Sequence, residues 1–371
     1  MRGRGIRVLV VGAGIAGLAT VRALRDWGAT IDLVERSAGL TTTGTGLYLP
    51  GNAARALRTL GLFKPVAEAA VEIERQRTAN SRGRRLFEVD VAQLWRGVGP
   101  CLSLHRAELH RVLLAGIEEQ PVRWGRHPVT LVPEGDRVAV GFDDGSTERY
   151  DLVIGADGVN STVRQLAFDG AQPRSLDQYA YRFLAPRLDA EPVWSVRFGP
   201  GTQFLTIPIS ADQVYCYYNA GRGGDRPGWR DEVRAGFGEP AATLLSALDD
   251  AGADAVYAGP NREVVLDSWT RGGILLIGDA AHATSPNMAQ GAAMALEDAL
   301  VLAEFLRTAG TVAEALRGYE QRRRPRTDWV LGQTHRRDHA LGLAPVLRDT
   351  VMSAIGRRMF RANYAPLLRQ P

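Results

Sequence analysis

The chain has 371 residues, 45% hydrophobic and 23% charged, with 45 basic and 41 acidic side chains and a formal charge of +4. That composition suits two globular domains with cores of their own and excludes a low-complexity or fibrous protein. Lys64 is the single lysine, and no phosphate-loop motif ending in Gly-Lys-Ser/Thr occurs, which excludes nucleotide triphosphate hydrolysis by that route.

The start, "MRGRGIRVLVVGAGIAGLA", mimics a secretion signal but reads better as a buried strand, Val8–Val11, running into a glycine turn and a helix over Ile15–Trp27. Ile31–Glu35 is a second strand, which completes a β-α-β unit. Gly44–Leu49 reads as a glycine-broken loop, and Asn52–Leu60 and Arg106–Glu119 as helices, the latter with apolar residues at 109, 112, 113 and 117. Val129–Val132, Arg137–Phe142 and Thr147–Tyr150 alternate like an antiparallel meander, with a turn at "DDGS". Leu152–Gly155 is a buried strand. From about Arg174 to Asn219 strands follow one another without helices. Helices are expected near Trp229–Phe237 and Ala241–Asp250, a buried strand at Ile274–Ile277, and a helical tail from Arg326. The expected fold is α/β, with one domain in three pieces, 1–70, 101–170 and 271–330. A β-sheet-rich domain from 71–100 and 171–270 is inserted, and 331–371 form a C-terminal helical segment.

"GAGIAG", Gly12 to Gly17, is G-x-G-x-x-G between a strand and a helix. Gly12 permits the turn, Gly14 lets backbone approach a pyrophosphate, Gly17 lets helix and strand pack, and the helix start with Ile15 and Ala16 faces the phosphate. Glu35 ends the next strand and can accept from both ribose hydroxyls, with Arg36 beside the adenosine half. An acid there argues for NAD or FAD over a 2′-phosphate. "GADGVNSTVR", Gly155 to Arg164, is a strand-to-helix turn in which Asn160 or Ser161 can cap the helix, and Asp157 and Gly158 fall near the same strand ends as Gly12. "LLIGDAAHATSPNMAQGAAMALEDA" places Asp279 at a strand end, and Pro286 through Ala292 then open a helix with unblocked N–H groups. An acid suits a ribityl hydroxyl. A bare helix start, at Pro286, Ala289, Gln290, Gly291 and Ala292, suits the negative charge of a reduced flavin. This reading favours FAD.

In this order the three motifs resemble those of the class A, single-component flavoprotein monooxygenases, the para-hydroxybenzoate hydroxylase and salicylate hydroxylase family. "TGTGLYLPGNAARALRTLGL" resembles the family's loop beside the flavin ring, with Gly46 and Leu47 as contacts. "LHRAELHRVLL" resembles the helix whose arginine, here Arg106, reaches FAD, and "YRFLAP" the entry into the substrate sheet. Leu131 is a further candidate cofactor contact. The resemblance implies a Rossmann-like FAD-binding domain of the second glutathione-reductase type, tightly bound FAD, NADH or NADPH as transient co-substrate, and oxygen. It implies transfer of one oxygen atom from a flavin C4a-hydroperoxide to an aromatic small molecule, by hydroxylation or epoxidation. In the family Asp157 would serve both FAD and nicotinamide binding. Gly51 stands where proline is usual and Ala289 where glycine is common. Both are small, and little consequence is expected.

With that chemistry no protein nucleophile is required. Tyr215, Tyr217 and Asn219 share one strand face. Arg182, Phe204, Tyr215 and Tyr217 are the candidate substrate residues, and His282 reads as a structural hydrogen-bonding residue. A non-hydroxylating flavin oxidoreductase or an FAD-bound scaffold is the alternative. Interspersed acids argue against nucleic acid, and the Arg322–Arg324 cluster with Arg326 reads as a solvated or inter-domain face. His335 and His339 lack a third ligand, so no metal is expected. Cys101 and Cys216 form no disulfide framework and suit the cytoplasm. No run of about 20 apolar residues predicts a membrane span. A monomer or homodimer is expected.

Overall fold

The structure, a computed structural model, describes residues 3–39, 45–221, 223–251 and 255–371. A six-stranded sheet organises the nucleotide-binding part of the chain. Its central strand, Arg7–Val11, pairs in parallel with Thr30–Glu35 on one side and Leu152–Gly155 on the other. Leu152–Gly155 pairs in parallel with Ile274–Leu276, so three strand ends that lie far apart in sequence stand side by side. Val8–Val11, Leu152–Gly155 and Ile274–Leu276 are apolar runs because helices and the antiparallel meander cover the sheet.

A seven-stranded sheet holds the inserted β-rich segment, with Arg174–Pro186, Val193–Phe198, Gln203–Pro208, Gln213–Asn219 and Val256–Glu263. Arg75–Asn80 and Arg85–Asp90 join its far edge. One face packs on the helices Trp229–Phe237 and Ala241–Ala251, around Tyr181, Phe183, Tyr218 and Phe237. The other turns toward the large core of the six-stranded sheet.

Several expectations are corrected. Gly46–Leu49 is a strand, not a loop, and pairs with Cys101–His105; Thr43 and Gly44 lie outside the described residues. The first helix ends at Leu24, where Trp27 N–H turns back to Leu24 O. The helix at Arg106 ends at Ala115, with Leu109, Val112, Leu113 and Ile117 buried as the spacing required. The helical tail starts earlier than Arg326. Val312–Leu341 is one continuous helix, so the expected boundary at 330 falls inside it, and Pro345–Tyr364 follows. Arg323 is not solvated. It has no exposed surface and bonds Asp298 and Glu297.

Candidate active site

Gly12 sits at φ +105, and a Cβ there would meet Ala156 O at 2.6 Å. A Cβ on Gly17 would collide with Gly12 O. These glycines therefore let the first turn pack against both its own helix and the second turn. Gly14 caps Ile15–Leu24 with no side-chain bond, and nothing lies within 4 Å of where its Cβ would be. Ile15 and Ala16 thus begin a helix whose first N–H groups have no side-chain acceptor. The opening faces a cleft of about 220 Å³ lined by Gly12, Gly14, Glu35, Arg36, Asp157 and Gly158. Arg36 is exposed and makes no ion pair among the described residues. Glu35 accepts from Ala13 N at 2.9 Å and Ser37 N at 3.0 Å, one bond per oxygen, which leaves lone pairs on both. This set of bare donors, an acid and a free cation around an open glycine suits a dinucleotide.

Asp157 lines the cleft, but its carboxylate works inward. It accepts from Ser161 Oγ at 2.5 Å, Thr162 N at 2.7 Å and Val163 N at 3.1 Å. Ser161, one of the two expected caps, also caps the helix Thr162–Ala167 through Arg164 N. Burial raises the Asp157 carboxyl above its ordinary value, against the lowering effect of these bonds. Arg164 was missed as a site residue, although its motif was singled out. It is fully buried and donates to Val159 O at 2.7 Å, Ala280 O at 3.0 Å and Ala171 O at 3.1 Å. It therefore clasps the second turn to the third. Two histidines were also missed. His110 Nε2 donates to Ala13 O at 2.5 Å from the helix that Arg106 starts, and His127 lines the cleft. Leu131 does not line it; it packs on the core from the meander strand Pro128–Glu134.

The third turn reaches the first directly. A Cβ on Gly278 would lie 2.9 Å from the Ala16 Cβ. Asp279 is exposed beside Gly291, whose Cβ would be 3.8 Å from its Oδ1. The helix expected from Pro286 begins only at Gly291, with Ala292 in its first turn. Pro286–Met288 form a 3-10 turn, Ala289 sits at φ +49 and ψ +38, and Gln290 is the N-cap without a side-chain bond. The small size of Ala289 is thus not the whole matter, because only glycine adopts that backbone without strain. Gly51 is equally consequential: a Cβ there would lie 2.6 Å from Gly99 O and 2.7 Å from Trp95.

A buried ionic group supports this turn. Asp298 Oδ2 accepts from Gly278 N at 2.9 Å and bonds His282 Nε2 at 2.7 Å, and Arg323 Nε reaches Oδ1 at 2.8 Å. Burial pushes the Asp298 carboxyl up, but the charges of His282 and Arg323 and the bonds to it prevail and hold it well below the ordinary range. Glu297 pairs with Arg326 and also accepts from Asn52, which bonds Gln290. His282 is structural, as expected of it.

Gly46 and Leu47 lie on the strand that faces the substrate sheet, and Gly46 abuts Tyr215 so closely that a Cβ would clash. Arg106 donates its backbone N–H to Thr45 O at 3.0 Å and leaves its side chain exposed. Arg182 lies opposite Tyr217 across the strand pair, and Tyr215 and Tyr217 share its face. Phe204 does not. It pairs with Tyr218 and packs on Phe237 on the opposite face, a consequence of the two-residue strand period.

The geometry thus presents one dinucleotide cleft beside a sheet face carrying an arginine and two tyrosines. Residues 5–334 match the family described as an FAD binding domain. The chain belongs to the class A FAD-dependent aromatic monooxygenases. Aurachin C monooxygenase/isomerase of Stigmatella aurantiaca is 32% identical over 336 residues, 88% of each chain. The 2-heptyl-3-hydroxy-4(1H)-quinolone synthase of Pseudomonas aeruginosa is 33% identical over 339 residues, 88% of this chain and 87% of that one. The crystal structure of Klebsiella pneumoniae HpxO complexed with FAD and uric acid matches with a TM-score of 0.87 at 25% identity, over 99% of this chain and 98% of that one. This monooxygenase uses FAD, with NAD(P)H and oxygen, and acts on a small aromatic molecule. No described helix is long and apolar enough to cross a membrane.

Proposed function

We propose that the three turns grip a single FAD along the strand ends and present its ring to the face that carries Arg182, Tyr215 and Tyr217. One observation carries this reading: the first turn touches the second at Ala156 and the third at Gly278. The unblocked start of Ile15–Leu24, with Gly12 and Gly14, would hold the pyrophosphate, and Glu35 and Arg36 the adenosine half. Asp279 would meet the ribityl chain. The helix start at Gly291 and Ala292, with Gln290, Ala289 and Pro286 before it, would meet the pyrimidine edge of the ring, and Gly46, Leu47 and Arg106 its other side. Bound there, FAD supplies the redox and oxygen chemistry. The chain holds the ring, excludes water and orients the substrate.

Asp157 would shape its turn through the bonds from Ser161, Thr162 and Val163, with a lone pair left on Oδ1 for the cofactor. The two large sheets support a division into 1–70, 101–170 and 271–330 against 71–100 and 171–270, although Val71–Ile73 pairs with Cys101–His105 and Thr270 with Leu275 across it. Two free, buried cysteines favour a reducing cytoplasm, where the protein would act as a monomer or homodimer.

Purified protein tests the proposal. It should be yellow, oxidise NAD(P)H faster with its aromatic substrate, and add one oxygen atom detectable by mass. Glu35→Ala and Asp279→Ala should each lose FAD on dialysis. Stoichiometric FAD in both variants would remove these acids from the site.

A further inference from the structure

Eleven large hydrophobic side chains are exposed among the described residues, and five of them fall between positions 343 and 359. These are Leu343, Val346, Leu347, Ile355 and Met359, from 41% to 81% exposed. They belong to the helix Pro345–Tyr364 and the turn before it. The inner side of that helix is firmly seated. Arg348 donates Nη1 to Gly199 O at 2.7 Å, Tyr364 OH donates to Met288 O at 3.1 Å, and Phe87 fills the space beside Gly356. The outer side is therefore a face held in one orientation.

Residues four apart stand one above another on a helix. Leu347, Val351, Ile355 and Met359 follow that spacing and form an apolar stripe. Arg357 and Arg361, also four apart, run beside it, with Arg358 between them. All three are exposed and make no ion pair among the described residues. The turn between Arg75–Asn80 and Arg85–Asp90 lies against the first half of the helix, where Asn80 Nδ2 donates to Asp349 Oδ2 at 3.0 Å, and it adds the exposed Arg82. Asp349 is the single acid after Gly342, and it is buried and paired with Arg84 at 3.7 Å. Five arginines follow Gly342 against that one acid, so the chain's whole formal charge of +4 resides here and the rest carries equal numbers of each sign.

We propose that the outer face of Pro345–Tyr364 docks on an anionic bilayer surface and lies in its plane. An apolar stripe edged by unpaired arginines matches the layering of such a surface, with acyl chains beneath the helix and phosphates at its sides. Arginine stems cover apolar surface while their guanidinium groups reach the phosphates. A second copy of the chain is a poorer match. In a two-fold contact the same patch meets itself, which sets this positive charge against its like. A 20-residue helix is also ~30 Å long and ~10 Å wide, so a helix-on-helix contact covers ~300 Å² on each copy. The total of ~600 Å² is below the ~1,000 Å² of a stable interface.

The FAD-loaded protein is sedimented with vesicles of phosphatidylcholine alone and of phosphatidylcholine and phosphatidylglycerol in equal parts. The parent should bind the anionic vesicles and not the neutral ones, and raised salt should release it. Each arginine near an anionic surface accounts for about fivefold in binding, so the triple variant Arg357→Gln, Arg358→Gln, Arg361→Gln should lose ~100-fold. Leu347→Ser with Ile355→Ser should lose about tenfold or more with its charge intact, which separates apolar insertion from adsorption by charge alone. FAD content and Tm of both variants should equal the parent's, because the changed side chains are exposed. No binding to the anionic vesicles overturns the proposal. So does equal binding to both kinds, or parent-like binding by either variant. A parent dimer in analytical ultracentrifugation that Leu347→Ser with Ile355→Ser makes monomeric also overturns it, since a second copy then covers the face.

Discussion

Arg164→Leu tests the clasp between the second and third turns. The side chain has no exposed surface, and its guanidinium satisfies three carbonyls, those of Val159, Ala171 and Ala280. Leucine fills part of the volume, leaves the buried Ala280 carbonyl dry and strips the partner from the half-buried carbonyls of Val159 and Ala171. A buried acceptor without a partner costs about 1–3 kcal/mol. Asp157 also loses a nearby positive charge that favours its ionised form. Against this, the variant no longer buries a guanidinium, so the net loss is about 3–5 kcal/mol. Unfolding entropy of about 2.1 cal/mol/K per residue over 371 residues gives ~0.8 kcal/mol/K, hence a fall in Tm of about 4–6 °C. The Ala280 carbonyl lies next to Asp279, so the apparent Kd for FAD should rise with the fall in Tm. Scanning calorimetry and equilibrium dialysis with FAD measure the two effects. Arg164→Lys, which keeps the charge but not the three-way reach, should fall between parent and Leu. A Leu variant within about 1 °C of the parent, with FAD retained, would refute the clasp.

The depressed Asp298 carboxyl stabilises the fold above the unfolded value of about 4. That stability is lost as pH falls from there toward the folded value. Asp298→Asn should therefore lose about 3–5 kcal/mol at neutral pH, and its Tm should drop less steeply than the parent's below pH about 4. A parallel pair of curves would show that Asp298 is not the group responsible. Ala289→Gly relieves a left-handed alanine and should add about 0.5–1 kcal/mol by chemical denaturation, whereas Ala289→Val should lose more than that. Tyr217→Phe removes the hydroxyl that accepts from Asn261; substrate-stimulated turnover should change while flavin content, read by absorbance, does not.

The three turns were legible in the sequence because each is local. A glycine forced by a close approach, a strand of apolar residues before it and a helix after it all lie within about 15 residues. Face assignment in the substrate sheet was half legible. The two-residue period placed Tyr215 and Tyr217 together. It carried no information about Phe204, whose side depends on its register against Tyr218. Gly46 was read as loop because glycine usually breaks a strand, but here Tyr215 needs that space. The arginine cluster read as a solvated or inter-domain face because nothing around residue 323 shows that Glu297 and Asp298, some 25 residues earlier, lie beneath it.

What the sequence determined by itself was the set of short-range devices: the dinucleotide turn, the acid at the end of the second strand, the capped second turn and the bare third one. Steric and hydrogen-bonding rules act over a few residues, and such rules can be read along a chain. The tertiary structure alone decided which of these devices touch, that Arg164 ties two of them together, and that Asp338 from the tail reaches the segment beside them. Those contacts depend on strand order and register, in which residues more than 50 positions apart become neighbours.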